Sequence, residues 1–126
     1  IVVTASVAAG IASDAVIKLT TIEDWATGDT ITFSGTGTGV FTTTAVTIGA
    51  GVASLKAALD LAVSAIGSVN NQATWFAYDG NTYLVNHTGT GTDLAATDTV
   101  IKFIGTPDLS DETFTDGGAT STFAFN

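Results

Sequence analysis

This sequence predicts a mainly β domain: an antiparallel β-sandwich or layered β architecture of about seven or eight strands with one amphipathic α-helix near residues 52–66. Three observations lead there. β-Branched and aromatic residues recur in short alternating runs. The dipeptide Asp79-Gly80 separates two such runs, TWFAY and TYLVN. A single alanine- and leucine-rich segment breaks the pattern with apolar residues three and four apart. At 126 residues, 45% of them hydrophobic, the chain suits one domain, residues 1–126, with a packed core.

In chain order, Ile1–Ala8 (IVVTASVA) is β-branched and reads as a strand. Asp14–Thr20 (DAVIKLT) follows as a strand with one apolar face, and Gly28–Ser34 (GDTITFS) alternates so that Ile31 and Phe33 share a face. Val40–Ile48 is threonine-rich, as strands with a solvated face are. Residues 52–66 then place Val52, Leu55, Leu59, Ala62, Val63 and Ile66 on one helical stripe. Lys56 and Asp60, four apart, are expected to pair on its outer side, and Gly67 to supply a left-handed C-terminal cap.

Thr74–Tyr78 and Thr82–Asn86 form a hairpin about the type I′ dipeptide Asp79-Gly80, and its register decides which aromatics are core. Thr99–Ile104 is a further strand ahead of Pro107, and Thr120–Phe125 alternates like an edge strand.

Three lysines, no arginine and twelve acids give a formal charge of −9. Nucleic acid is excluded as a partner, because no basic footprint exists to displace phosphate counterions. Anionic membrane surfaces would repel the chain, and no apolar run approaches the roughly 18–20 residues that cross a bilayer. Cysteine is absent, removing disulfides, zinc–thiolate sites and thiol chemistry. Methionine is absent too, as expected of a processed product or a fragment.

Two segments bear on cation binding. In Ile22–Ile31 (IEDWATGDTI), Asp24 and Asp29 bracket a glycine turn, an arrangement that either shares a hard cation between carboxylates or is an ordinary acidic turn. In Asn86–Leu94 (NHTGTGTDL), followed by Asp98, alternating glycines fold the backbone tightly as in nonapeptide calcium repeats. Threonine stands where those repeats carry aspartate, and a plain loop explains the segment as well.

Catalytic patterns are weak. His87 is the one histidine and reads as a polar loop residue; no Gly-x-Ser-x-Gly elbow exists, and the neighbours Asp111 and Glu112 point apart. Asn86-His87-Thr88 matches the glycosylation acceptor pattern. Trp25, Trp75, Tyr78 and Tyr83 are either carbohydrate-stacking platforms or core.

The stretch from Thr74 to Phe114 resembles the C-terminal region of bacterial repeats-in-toxin surface proteins, including surface-layer proteins. It carries Trp75-Phe76, Gly80-Asn81-Thr82-Tyr83, Asp98-Thr99-Val100-Ile101-Lys102 and Asp108-Leu109-Ser110 in that family's order. Ile22–Ile31 also looks like the segment that closes a calcium β-roll there, although no Gly-Gly-x-Gly-x-Asp repeat is present. The resemblance implies type I secretion, an extracellular cell-surface location and calcium as cofactor. Its best ligand candidates are Asp24 and Asp29, then Asp93 and Asp98.

The expected role is therefore a non-enzymatic structural protein. It assembles with copies of itself into a surface layer, sheet or filament by terminal-strand exchange, with cell-surface polysaccharide as a further partner. The alternative is the C-terminal secretion and folding module of a larger secreted enzyme or adhesin.

Overall fold

The computed structural model describes residues 2–3, 19–34, 40–66, 72–88, 91–95, 97–116 and 120–126. Among them run β1 (Val2–Val3), β2 (Thr20–Ile22), β3 (Thr30–Ser34), β4 (Val40–Phe41), α1 (Leu55–Ile66), β5 (Gln72–Tyr78), β6 (Asn81–His87), β7 (Thr99–Phe103), β8 (Thr113–Asp116) and β9 (Thr120–Ala124). The described residues are mainly β, in two sheets with one helix. A four-stranded sheet has the order β1-β3-β9-β8, and a five-stranded sheet has the order β2-β7-β6-β5-β4.

The layers follow from alternation. In the five-stranded sheet, Ala73, Trp75, Leu84, Ile101 and Phe103 face the other sheet and meet Ile31, Phe33, Phe123 and Phe125 in one core. Phe76, Tyr83, Val85 and Val100 point the opposite way and pack under Ala58, Leu59, Ala62 and Val63 of α1. The order is sheet, sheet, helix. A sheet covered on both faces has no polar side, which is why TWFAY and TYLVN read as nearly continuous apolar runs.

The hairpin forms as its dipeptide requires. Asp79 (φ 48°) and Gly80 (φ 79°) both take left-handed backbone between the paired residues Tyr78 and Asn81. Its register sets Trp75 against Leu84 and Phe76 against Tyr83.

The helix begins at Leu55 rather than near residue 52, because Ser54 caps it: Ser54 Oγ accepts the Ala57 backbone N–H at 3.1 Å. Lys56 and Asp60 pair as their spacing demands. Gly67 lies outside the described residues.

Four expectations change. The centres of both sheets are antiparallel, but three of their four edge strands are not: β1 runs parallel to β3, β2 to β7 and β4 to β5. The strand expected over Val40–Ile48 ends at Phe41; beyond it the Thr42 and Val46 N–H groups still donate to the Ala73 and Trp75 carbonyls, and the Thr43 carbonyl accepts the Trp75 indole N–H (2.9 Å). The strand expected over Asp14–Thr20 begins at Thr20 and runs on to Ile22, residues 14–18 lying outside the described set. Thr113–Asp116 is a strand that local pattern did not single out, and it pairs antiparallel with β9. Of the strand expected over Ile1–Ala8, Val2–Val3 is described. No helix among the described residues is long and apolar enough to cross a membrane.

Candidate functional site

The connection from β6 to β7 is where the acid-and-glycine motif of the sequence falls. Alternation along β6 turns Tyr83, Val85 and His87 toward the helix side, so the single histidine is fully buried and not a surface loop residue. Asp98, just before β7, is fully buried beside it. His87 Nδ1 lies 3.0 Å from each Asp98 oxygen, and His87 Nε2 lies 3.0 Å from the Gly91 carbonyl. Carboxylate and carbonyl are both acceptors, and each ring nitrogen faces one of them.

Asp98 holds the loop from several sides. Its Oδ1 also accepts the Thr88 N–H (2.9 Å), its Oδ2 the Ala95 N–H (2.8 Å), while its own N–H donates to the Ala95 carbonyl (3.1 Å). Thr88 Oγ1 adds a bond to the Thr97 carbonyl at 2.8 Å. Both carboxylate oxygens thus point inward at N–H donors, the geometry of an internal staple.

Asp60 ties this loop to the helix, a role its outward ion pair did not suggest. Its Oδ1 accepts the Leu94 N–H at 3.0 Å while Oδ2 meets Lys56 Nζ, and Leu94 is buried against the helix cluster. Asp93 is exposed and, with Asp60, borders a hollow of about 520 Å³ beside Val52, Ala57 and Leu61.

The second acidic segment sits elsewhere. Asp24 is exposed just beyond β2, and Asp29 precedes β3. Asp29 Oδ2 accepts the Ala26 N–H (2.9 Å) and Asp29 N–H donates to the Ala26 carbonyl (3.0 Å), closing a turn in which Gly28 takes φ 95°. That turn is moored to the last strand, Gly28 N–H to the Phe125 carbonyl and Phe125 N–H to the Asp29 carbonyl, with Trp25 stacked on Phe125 at 5.7 Å. Because Ile22 pairs with Phe103, Asp24 lies beyond the end of β7 opposite to the end that Asp98 precedes. The structure thus keeps Asp24 and Asp29 on the β2–β3 connection, with Asp24 outside the Ala26–Asp29 turn, and Asp93 and Asp98 on the β6–β7 connection, and it does not join the two pairs. No group of three or more His, Asp or Glu side chains suited to a metal is found among the described residues.

Of the four ring candidates, Trp75 and Tyr83 are buried, Tyr83 stacked on Phe76 at 5.4 Å, while half-buried Trp25 stacks on Phe125 and half-buried Tyr78 packs against the helix cluster. Asn86 is 4% exposed within β6, so the folded chain offers no glycosylation acceptor at Asn86-His87-Thr88. Glu112 and Asp111 serve the chain end: Glu112 Oε2 accepts the Asn126 N–H and the Asp111 carbonyl accepts the Asn126 side-chain amide.

The burial of His87 had a sequence signal in its parity with Tyr83 and Val85; the partnership with Asp98 had none, because the two stand 11 positions apart and meet only in three dimensions. No protein-family model matches this chain, and no curated protein matches it significantly.

Proposed function

We propose that this chain is an extracellular structural module that self-assembles into a surface layer, sheet or filament, with its first strand exchanged between copies. The observation that carries the reading is the pairing of β1. This strand lies parallel at the edge of the four-stranded sheet and pairs Val2 and Val3 with Thr32 and Phe33, two of the five residues of β3. An edge strand is bonded to one neighbour, so the same segment of a neighbouring copy can take its place and join the two chains. The use of the one histidine as a loop staple, with both ring nitrogens engaged, supports a role without His-based catalysis.

Calcium belongs to this reading as a stabilising ion, with Asp24 and Asp29 as the first ligand candidates and exposed Asp93 behind them. Negative-stain electron microscopy with calcium and then with chelator tests both parts. Ordered assemblies that chelator dissolves support the reading, and loss of that response in Asp24→Asn/Asp29→Asn ties the ion to this turn. Deleting residues 1–8 is expected to leave a folded monomer; a deletion variant that still polymerises removes strand exchange from the account.

A further inference from the structure

The hollow beside α1 holds about 520 Å³, within the roughly 300–1,000 Å³ of clefts that take small ligands. Its floor is apolar: Ala57 and Leu61, one turn apart on α1, lie beside Val52 of the 51–53 connection. Leu61 is 45% exposed there, a large apolar side chain left open to water in a chain that buries its other helix leucine, Leu59. The rim is acidic. Asp60 and Asp93 border it, Ser64 adds a hydroxyl one helical turn further on, and no lysine lines it.

Two hydrogen bonds hold this shape. Ser54 Oγ accepts the Ala57 N–H at 3.1 Å and so fixes the 51–53 wall against the first turn of the helix. Asp60 Oδ1 accepts the Leu94 N–H at 3.0 Å, which anchors the chain next to Asp93 at the opposite side. The two carboxylates differ in what they have left to offer. Asp60 is spent on Leu94 through one oxygen and on Lys56 Nζ through the other. Asp93 is exposed, and its carboxylate has no hydrogen-bond or ion-pair partner among the described residues.

We propose that this hollow binds a small organic cation, a protonated primary amine on a compact apolar body. The ammonium meets Asp93, and the body covers Leu61, Ala57 and Val52. Charge complementarity is the first argument. Lys56 neutralises Asp60, so Asp93 leaves one uncompensated negative charge at the rim of a chain that carries −9, which draws cations and repels anions. The second argument is that neither half of the site suffices alone. An exposed ion pair contributes little, so a bare cation gains almost nothing here, while apolar area over Leu61 supplies what the pair does not. A ligand of about eight heavy atoms with both parts is expected to bind with a dissociation constant on the order of 1 mM. The site does not depend on self-assembly.

The test titrates ¹⁵N-labelled protein with cyclohexylmethylammonium and with its neutral counterpart of the same shape, cyclohexylmethanol, in chelator so that no calcium competes for Asp93. Saturating amide shifts are expected at Val52, Ala57, Leu61 and Asp93, with the ammonium bound several-fold more tightly than the alcohol. Asp93→Asn removes a carboxylate that supports no other described group and is expected to erase that difference. Leu61→Ala is expected to weaken both probes several-fold. Shifts that never saturate, or that spread evenly over the other acids, reduce the effect to general attraction toward a negative chain and overturn the site. Equal binding of the two probes by the unsubstituted protein, or an Asp93→Asn protein that still prefers the ammonium, overturns it as well.

Discussion

His87 Nδ1 stands 3.0 Å from both carboxylate oxygens of Asp98, and neither side chain reaches solvent. The pair closes the β6–β7 connection from inside: the ring reaches Gly91, and the carboxylate collects Thr88 and Ala95. Removing one member of such a pair strands the other as an unpaired buried polar group. Asp98→Ala and His87→Ala are each expected to lower unfolding free energy by about 3–5 kcal/mol. Urea denaturation checks this, with a lowered midpoint at unchanged slope. A loss under about 1 kcal/mol in both would mean that the loop does not depend on the pair.

Thr74 presents the reverse case. It is fully buried beneath the helix side of β5, and its Oγ1 has no hydrogen-bond partner. Valine keeps the branched shape and removes the unsatisfied hydroxyl, so Thr74→Val is expected to stabilise the domain by about 1 kcal/mol. Thermal unfolding reads the gain as a higher midpoint, and a lower midpoint would show that the hydroxyl is engaged.

Neighbouring leucines of α1 separate packing from propensity. Leu59 is fully buried against the sheet, and Leu61 is 45% exposed. Leu59→Ala is expected to cost about 2–5 kcal/mol through lost contacts and a cavity, whereas Leu61→Ala is expected to stay within roughly 0.5 kcal/mol of the parent. Equal losses in chemical denaturation would contradict the burial of the Leu59 face.

Asp108 gives the acid-side prediction. Hydrogen bonds from Ser110, side chain first and backbone N–H second, hold its carboxyl below the ordinary 3.8. A carboxyl that is depressed in the folded state favours folding when ionised. Its contribution is present above 3.8 and is lost as pH falls through the lower folded value. Asp108→Asn should therefore differ from the parent in stability at neutral pH and converge with it in strong acid. Parallel pH–stability curves for the two proteins would refute the assignment.

The sequence by itself determined what depends on neighbours along the chain. The stripe from Leu55 to Ile66, the Lys56–Asp60 pair and the Asp79-Gly80 turn with its flanking strands all follow from spacing over a few residues, and all stand in the structure. Tertiary structure decided whatever needs a distant partner. Val40–Ile48 has the composition of a strand, yet its regular ladder ends at Phe41, and beyond it only scattered bonds reach β5, from the Thr42 and Val46 N–H groups and to the Thr43 carbonyl from the Trp75 indole. The short Thr113–Asp116 became a strand because β9 lies beside it. His87 and Asp98 look like loop polar residues in sequence, and they became a buried pair where Leu94, between them in the chain, is tied to Asp60 of α1. Helical and hairpin contacts close over short loops at low entropic cost. Sheet order, the parallel edges and the loop staple close over long ones, and only the assembled core repays that closure.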